Sequence, residues 1–195
     1  MGASHIGASH MGASRMGATL WVFGYGSLMW NPGFAHSDRQ VAVLEGYHRS
    51  FCMWSIHYRG TVTDPGLVLA LDEAEAATCH GVAFAVAGGQ EAETLAYLRD
   101  RELISSAYRE MDLAVTLRDG RAVRAVSYVV NRDHPQYCQD LDPADQAAII
   151  ARSAGSAGRN DDYLFNTVAH LAELGISDTH LLTLADLVRA MAPRI

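Results

Sequence analysis

Trp21-Val22-Phe23-Gly24-Tyr25-Gly26-Ser27-Leu28-Met29-Trp30 joins an apolar run of strand character to two glycines that bracket a tyrosine, with a small hydroxyl residue directly after. Glycine lets a chain turn sharply and leaves neighbouring N–H groups unobstructed, so several can face one anion or carbonyl. Taken alone, the pattern also describes a strand that merely ends in a turn. A distant carboxylate, Glu102, tips the balance, because its proton affinity is predicted to be abnormal. A rigid amide cradle plus a tuned acid points to an enzyme acting on a small polar substrate.

Glu102 closes Gln90–Glu102, a stretch of good helix formers. It lies seven residues beyond Leu95 and four beyond Leu98, on or near the apolar face of that helix. It also occupies the last turn, where the helix dipole is negative. Burial and dipole both disfavour the ionised form, so both raise its pKa, as a general acid/base needs. The competing reading pairs Glu102 with Arg99, Arg101 or Arg109 at the helix end.

Around these two features the chain reads as α+β. Leu20–Tyr25, Gln40–Tyr47, Ser50–His57, Leu67–Asp72 and Gly81–Val86 have strand character, and Leu113–Leu117 and Ala122–Val130 flank the hairpin signal Asp119-Gly120. After Asn131 the pattern turns helical. Asp142-Pro143 supplies a cap and a first-turn proline for a helix to about Ser153. A second helix is predicted from the caps and acids of Gly158–Asp162 to near Gly175, and a third over His180–Met191. Many strands, one central helix and a helical C-terminal part predict a mixed, curled β-barrel-like sheet flanked by helices.

Bulk properties narrow the function. With 195 residues and 49% apolar content, residues 20–195 are expected to form a single domain with a full core. The first nineteen residues are near-copies of Met-Gly-Ala-Ser-His, a low-complexity leader expected to be disordered, either an engineered tag or a natural extension. A formal charge of −7 with scattered acids argues against nucleic acid and anionic membranes as partners. All 15 basic residues are arginine, which excludes Schiff-base chemistry, a P-loop and a lysine base. Cys52, Cys79 and Cys138 form no CxxC pair and fit a reducing, cytoplasmic setting.

Other constellations fall away. Gly24-x-Gly26-x-x-Met29 lacks the third glycine of a dinucleotide fingerprint. Ser27 is outside a G-x-S-x-G elbow and reads as a hydrogen-bond donor, not a nucleophile. The histidines have no metal-ligand spacing, so no metal is expected. His57-Tyr58-Arg59-Gly60 ends a strand and either forms a solvated turn or sets a cation at a pocket mouth.

Together these segments resemble the ChaC-type γ-glutamylcyclotransferases. The likeness runs from Leu20 to about Phe165 through Tyr25-Gly26-Ser27-Leu28, Tyr58-Arg59-Gly60-Thr61 with Pro65-Gly66, Gly81-Val82-Ala83-Phe84, Tyr97-Leu98 with Arg101-Glu102, Tyr128 with Tyr137, and Gly158-Arg159-Asn160 before Tyr163-Leu164-Phe165. The resemblance implies a mixed barrel flanked by helices, no cofactor, and cleavage of glutathione to 5-oxoproline and cysteinylglycine. It implies that Tyr25, Gly26, Ser27 and Leu28 hold the γ-glutamyl group, that Glu102 is the acid/base, and that Tyr128 helps to bind substrate. Three departures bear on substrate preference. Leu67 stands where relatives often carry arginine, Ala85 and Ala87 stand where many have bulkier or charged residues, and Ser105-Ser106-Ala107 makes the path from Glu102 to Tyr108 two residues longer than theirs. The alternatives are a cyclotransferase for other γ-glutamyl amino acids or γ-glutamylamines, and a non-catalytic metabolite-binding module. An ion-transport regulator finds no membrane segment or basic amphipathic anchor in support.

Overall fold

A computed structural model describes residues 19–103, 105–139 and 141–191. The expected leader lies outside the described residues, apart from Thr19. Five strands close a mixed barrel in the order β1-β3-β2-β4-β5. These are β1 (Trp21–Gly24), β2 (His36–Ser55), β3 (Gly66–Val86), β4 (Tyr108–Leu117) and β5 (Ala122–Val130), with helix α1 (Glu91–Glu102) between β3 and β4. Three helices follow, α2 (Pro143–Arg152), α3 (Asn160–Glu173) and α4 (Thr179–Met191), with a two-stranded hairpin, β6 (Ala154–Gly155) and β7 (Gly158–Arg159), before α3. The expected α+β barrel flanked by helices is the fold observed.

β1 is the keystone of the closure. It pairs antiparallel with β3, Val22 opposite Phe84, and parallel with β5, Val22 opposite Val126. Its alternate residues serve two cores. Trp21, Phe23 and Tyr25 join Leu44, Leu71, Leu113 and Val129 in a cluster fed by all five strands, the barrel interior. Val22 faces the other way, with Leu28, Leu98 and Tyr128 beneath α1. A strand buried on both faces has no polar alternation, which is why the stretch reads as an unbroken apolar run.

Two expectations are corrected. Gln40–Tyr47 and Ser50–His57 are halves of the one strand β2, and Leu67–Asp72 and Gly81–Val86 are the ends of β3. The polar interval Glu73–Thr78 is not a turn but strand standing largely clear of the core. Glu45 pairs with Thr78 and Tyr47 with Glu73, so Ala74–Ala77 bulge opposite Gly46. Both sides use the left-handed backbone there, Gly46 at φ +79° and Ala76 at φ +60°. β4 likewise starts earlier than expected, at Tyr108. The helices match closely, and Asp142 caps α2 by accepting from Ala144 N–H at 2.9 Å.

α2, α3 and α4 cover the β2–β3 side, where Phe51, Leu67 and Leu69 pack with Ile150, Leu164 and Leu184. The seam is sealed by Asn160, which is fully buried. Its amide accepts from Leu67 N–H and donates to Leu67 C=O, both at 2.7 Å, as a neighbouring strand would. Gly66 is needed beside it, because a Cβ there would run into Arg59 O and the Asn160 side chain. Asn160→Ala would strand both backbone groups of Leu67, and each such buried loss costs about 1–3 kcal/mol. The variant is expected to lose about 2–4 kcal/mol in denaturant unfolding; a loss below about 0.5 kcal/mol would show that the seam does not depend on this amide.

Candidate active site

The chain leaving β1 passes Tyr25 and Gly26 into a single 3-10 turn, Ser27–Met29. The hydrogen bonds of this turn run from Met29 N–H to Gly26 O at 2.9 Å and from Trp30 and Asn31 N–H to Ser27 O at 3.3 and 2.9 Å. The N–H groups of Gly26, Ser27 and Leu28 take no part in them. The space beside Gly26 is bordered by Tyr163, whose hydroxyl lies 3.7 Å from where a Cβ on Gly26 would stand. Tyr25 is anchored from both ends. Its hydroxyl donates to Tyr128 O at 2.9 Å, and its carbonyl accepts from Arg49 Nη1 at 2.6 Å.

Arg49 is a buried cation with a carboxylate partner, Asp178, at 3.0 Å from Nε. It also donates to His80 O and meets Met29 Sδ at 3.8 Å. Asp178 in turn accepts from Leu181 N–H at 3.1 Å at the start of α4. One guanidinium therefore ties the turn, β3 and α4 together.

Glu102 ends α1 with its side chain 21% exposed and Oε1 3.0 Å from Arg101 Nε. Both sequence readings hold in part: the acid is mostly buried, and it is paired. Burial pushes its pKa above the ordinary glutamate value, with Arg101 opposing the shift by charge and hydrogen bond. Neighbouring residues on a helix do not normally face each other; this pair forms where the helix stops. Arg99 makes a different pair, bidentate to Glu110 at 2.7 and 2.8 Å.

Arg101 is also the link between acid and cradle. Nη2 donates to Ser27 Oγ at 2.9 Å, and Nη1 donates to Asn31 O at 2.8 Å and to the Tyr97 hydroxyl at 3.0 Å. Ser27 accepts from Arg101 and so keeps its own hydroxyl proton to donate. The expected residues Tyr25, Gly26, Ser27, Leu28 and Glu102 are thereby brought to one end of the barrel.

Four tyrosines surround this end, and the charge of Glu102 raises the pKa of each. Burial is the main cause for Tyr25 and Tyr108, both held well above the usual phenol value. Burial also pushes Tyr163 up to about 12. For Tyr128 burial is again the larger cause, followed by Glu110, to which its hydroxyl donates at 3.3 Å. Tyr128 packs under α1 with Leu28 and Leu98, and its backbone carbonyl holds the Tyr25 hydroxyl. Phenols this reluctant to ionise are hydrogen-bond donors and acceptors, not bases.

Sequence reasoning missed Tyr108, Arg49 and Asp178 as parts of the site. Tyr108 begins β4 and donates to Leu69 O at 3.1 Å; the sequence marks it only as the tyrosine after Ser105-Ser106-Ala107, with no sign that it reaches the site. After Glu102, Ser106 takes the left-handed region, φ +54°, and Ala107 is buried. Leu67 is wholly buried in the core under the helices. Two open clefts, of about 270 and 410 Å³, lie between α3 and α4 and beside Arg39 and Arg118. Neither is lined by Glu102 or the cradle, so chemistry and not cavity size locates the site. Among the described residues no cluster of His, Cys, Asp and Glu is arranged to hold a metal.

Comparison with known proteins agrees on one family. The family model described as ChaC-like protein matches residues 20–191. The glutathione-specific gamma-glutamylcyclotransferase of Escherichia coli is 37% identical over 162 residues, 83% of this chain and 69% of that one. The human glutathione-specific gamma-glutamylcyclotransferase 1 is 35% identical over 181 residues, 89% of this chain and 80% of the other. Among solved structures, a yeast gamma-glutamyl cyclotransferase specific to glutathione superposes with a TM-score of 0.79 at 23% identity, covering 89% of this chain and 99% of that one. That last likeness shows a shared fold.

The burial of Glu102 has a sign that can be checked. Its pKa is higher folded than unfolded, so folding favours the protonated carboxyl. That stability is present below the unfolded pKa of about 4.3 and is lost as pH rises through the folded value. Glu102→Gln imitates the neutral acid. Its Tm is expected to equal or exceed the wild-type value at about pH 8, with the advantage gone near about pH 3. A Tm well below wild type at the higher pH would mean that the Arg101 pair outweighs burial.

Proposed function

The chain belongs to the ChaC-like family, and from that premise we propose that it cleaves glutathione to 5-oxoproline and cysteinylglycine. The observation that carries this reading is a mostly buried carboxyl with a raised pKa, fastened through Arg101 to an open turn of backbone amides. Residues 20–195 act as the single catalytic domain; the family match over 20–191 and the core shared by β2, β3, α2, α3 and α4 support this. Among the described residues no helix is long and apolar enough to cross a membrane, and a reducing cytoplasmic setting suits both the thiol substrate and the scattered cysteines.

The reaction is an internal aminolysis. The α-amine of the γ-glutamyl group attacks its own γ-carbonyl carbon, a C–N bond closes the five-membered lactam, and the γ-amide C–N bond breaks. No water is consumed. The nucleophile is already tethered, so the site supplies orientation more than encounter. The ammonium form cannot attack. Glu102 takes one proton from it to free the amine and returns that proton to the departing nitrogen; it then takes the second proton, which the ring nitrogen loses as the lactam forms, and passes it to the departing amine, which leaves as an ammonium ion. A carboxyl whose pKa is raised towards working pH favours each transfer. The cradle at Tyr25–Leu28 holds the polar groups of the γ-glutamyl chain, the N–H groups of Gly26, Ser27 and Leu28 and the Ser27 hydroxyl facing its oxygens. Tyr128 contributes by fixing Tyr25.

The test is turnover of millimolar glutathione by the purified chain, followed as 5-oxoproline and cysteinylglycine by mass spectrometry. Glu102→Gln is expected to lower kcat by about 10²–10⁴ while leaving glutathione affinity nearly unchanged; near-normal kcat would remove Glu102 from the mechanism. Turnover of γ-glutamyl-alanine alone would mean the sister specificity, and silence towards every γ-glutamyl substrate a binding module. For the cradle, Gly26→Leu is expected to raise KM by crowding the Tyr163 hydroxyl, and an unchanged KM would contradict its placement.

A further inference from the structure

Arg59 lies on the loop between β2 and β3, half-buried, with its guanidinium 5.1 Å from the centre of the Tyr163 ring. Nη1 donates to Ala157 O at 2.6 Å and to Arg159 O at 3.2 Å, and its backbone N–H donates to Ser55 Oγ at 2.9 Å. Gly158, at φ +99°, sits between those carbonyls, and a Cβ there would stand 3.5 Å from Nη1. The β6–β7 hairpin thus grips the guanidinium by backbone dipoles. Arg49, Arg99, Arg101 and Arg132 each meet a carboxylate, whereas Arg59 meets none among the described residues. Neutral carbonyls orient a guanidinium without cancelling its charge, which leaves it free to take a planar anion.

Tyr163 connects this cation to the cradle. Its hydroxyl borders the space beside Gly26, its ring carries Arg59, and it feels the charges of both Arg59 and Glu102. A leaving group departing from the cradle along Tyr163 therefore travels towards Arg59. An extended residue spans about 3.3–3.6 Å, so the carboxylate of a departing dipeptide stands about 7 Å beyond the scissile nitrogen and that of a single amino acid about half as far.

We propose that Arg59 binds the carboxylate at the far end of the departing dipeptide and so selects γ-glutamyl dipeptide substrates over γ-glutamyl amino acids and amines. The inference rests on the cyclotransferase reading and adds a specificity residue to it.

The test measures kcat and KM of the full chain, wild type, Arg59→Gln and Arg59→Lys, on glutathione, on glutathione with its glycine carboxylate converted to a carboxamide, and on γ-glutamyl-alanine. A hydrogen bond between charged groups is worth about a 10- to 100-fold change. The carboxamide is expected to raise the wild-type KM by about that factor with little change in kcat. Arg59→Gln is expected to raise KM for glutathione by a similar factor, to treat acid and amide alike, and to narrow the gap to γ-glutamyl-alanine; Arg59→Lys should recover part of the loss. Equal KM values for acid and amide in the wild type would overturn the proposal, as would a variant that weakens both substrates equally. Should Arg59→Gln fail to fold, because the hairpin loses its grip, the wild-type comparison of acid and amide decides alone. A wild type active on glutathione but indifferent to the carboxylate sinks only the role of Arg59. A wild type inert towards all three substrates sinks the cyclotransferase reading and this inference with it.

Discussion

A carboxyl kept mostly out of water at the end of a closed barrel is the constraint around which the rest of this molecule is organised. Desolvation alone would drive Glu102 to neutrality, and a free ion pair would pin it as an anion. Arg101 holds the intermediate position. It pairs with Glu102 while also donating to Ser27, Asn31 and Tyr97, so its charge is shared between the acid and the turn that faces it. The closed barrel supplies what this needs from below: β1 cannot shift without breaking ladders to both β3 and β5, and its end is where the cradle starts.

Arginine is the structural cation throughout, and its geometry matters more than its charge. Lysine offers a single compact ammonium, whereas a guanidinium can bridge several acceptors in one plane. Arg49 does so in the buried seam between the turn, β3 and α4. Arg99 clamps Glu110 in bidentate fashion, and Glu110 in turn takes the Tyr128 hydroxyl. The absence of lysine, which at the level of composition only excludes certain chemistries, is thus matched by arginine struts around the site.

Features with local causes were legible in the sequence. The apolar run of β1, the Asp119-Gly120 hairpin, the Asp142-Pro143 start of α2 and the placement of Glu102 relative to Leu98 each follow from periodicity or turn chemistry. The continuity of β2 and β3 was not legible, because residues such as Glu73 and Glu75 are polar for being exposed along a long hairpin, and exposure in a strand looks the same in sequence as a loop. The tyrosine ring was only partly legible. Tyr25 adjoins the glycines, but Tyr108 reaches Leu69, Arg49 reaches Asp178 and Asn160 reaches Leu67 across long separations, and such contacts leave no spacing rule behind. The pairing of Glu102 with Arg101 is a third case: the sequence admitted several partners, and where the helix stops decided among them.

The central claim is that burial keeps a proton on Glu102 at a higher pH than an ordinary glutamate would. Its most direct test is an NMR pH titration of the protein carrying ¹³C-labelled glutamate, with the Glu102 carboxyl resonance assigned by its loss in Glu102→Gln. The account expects a midpoint clearly above about 4.3, the value for an exposed glutamate, with Arg101→Gln moving it further up. A midpoint at or below that value would mean that Arg101 governs the carboxyl and that burial does not tune it for proton transfer.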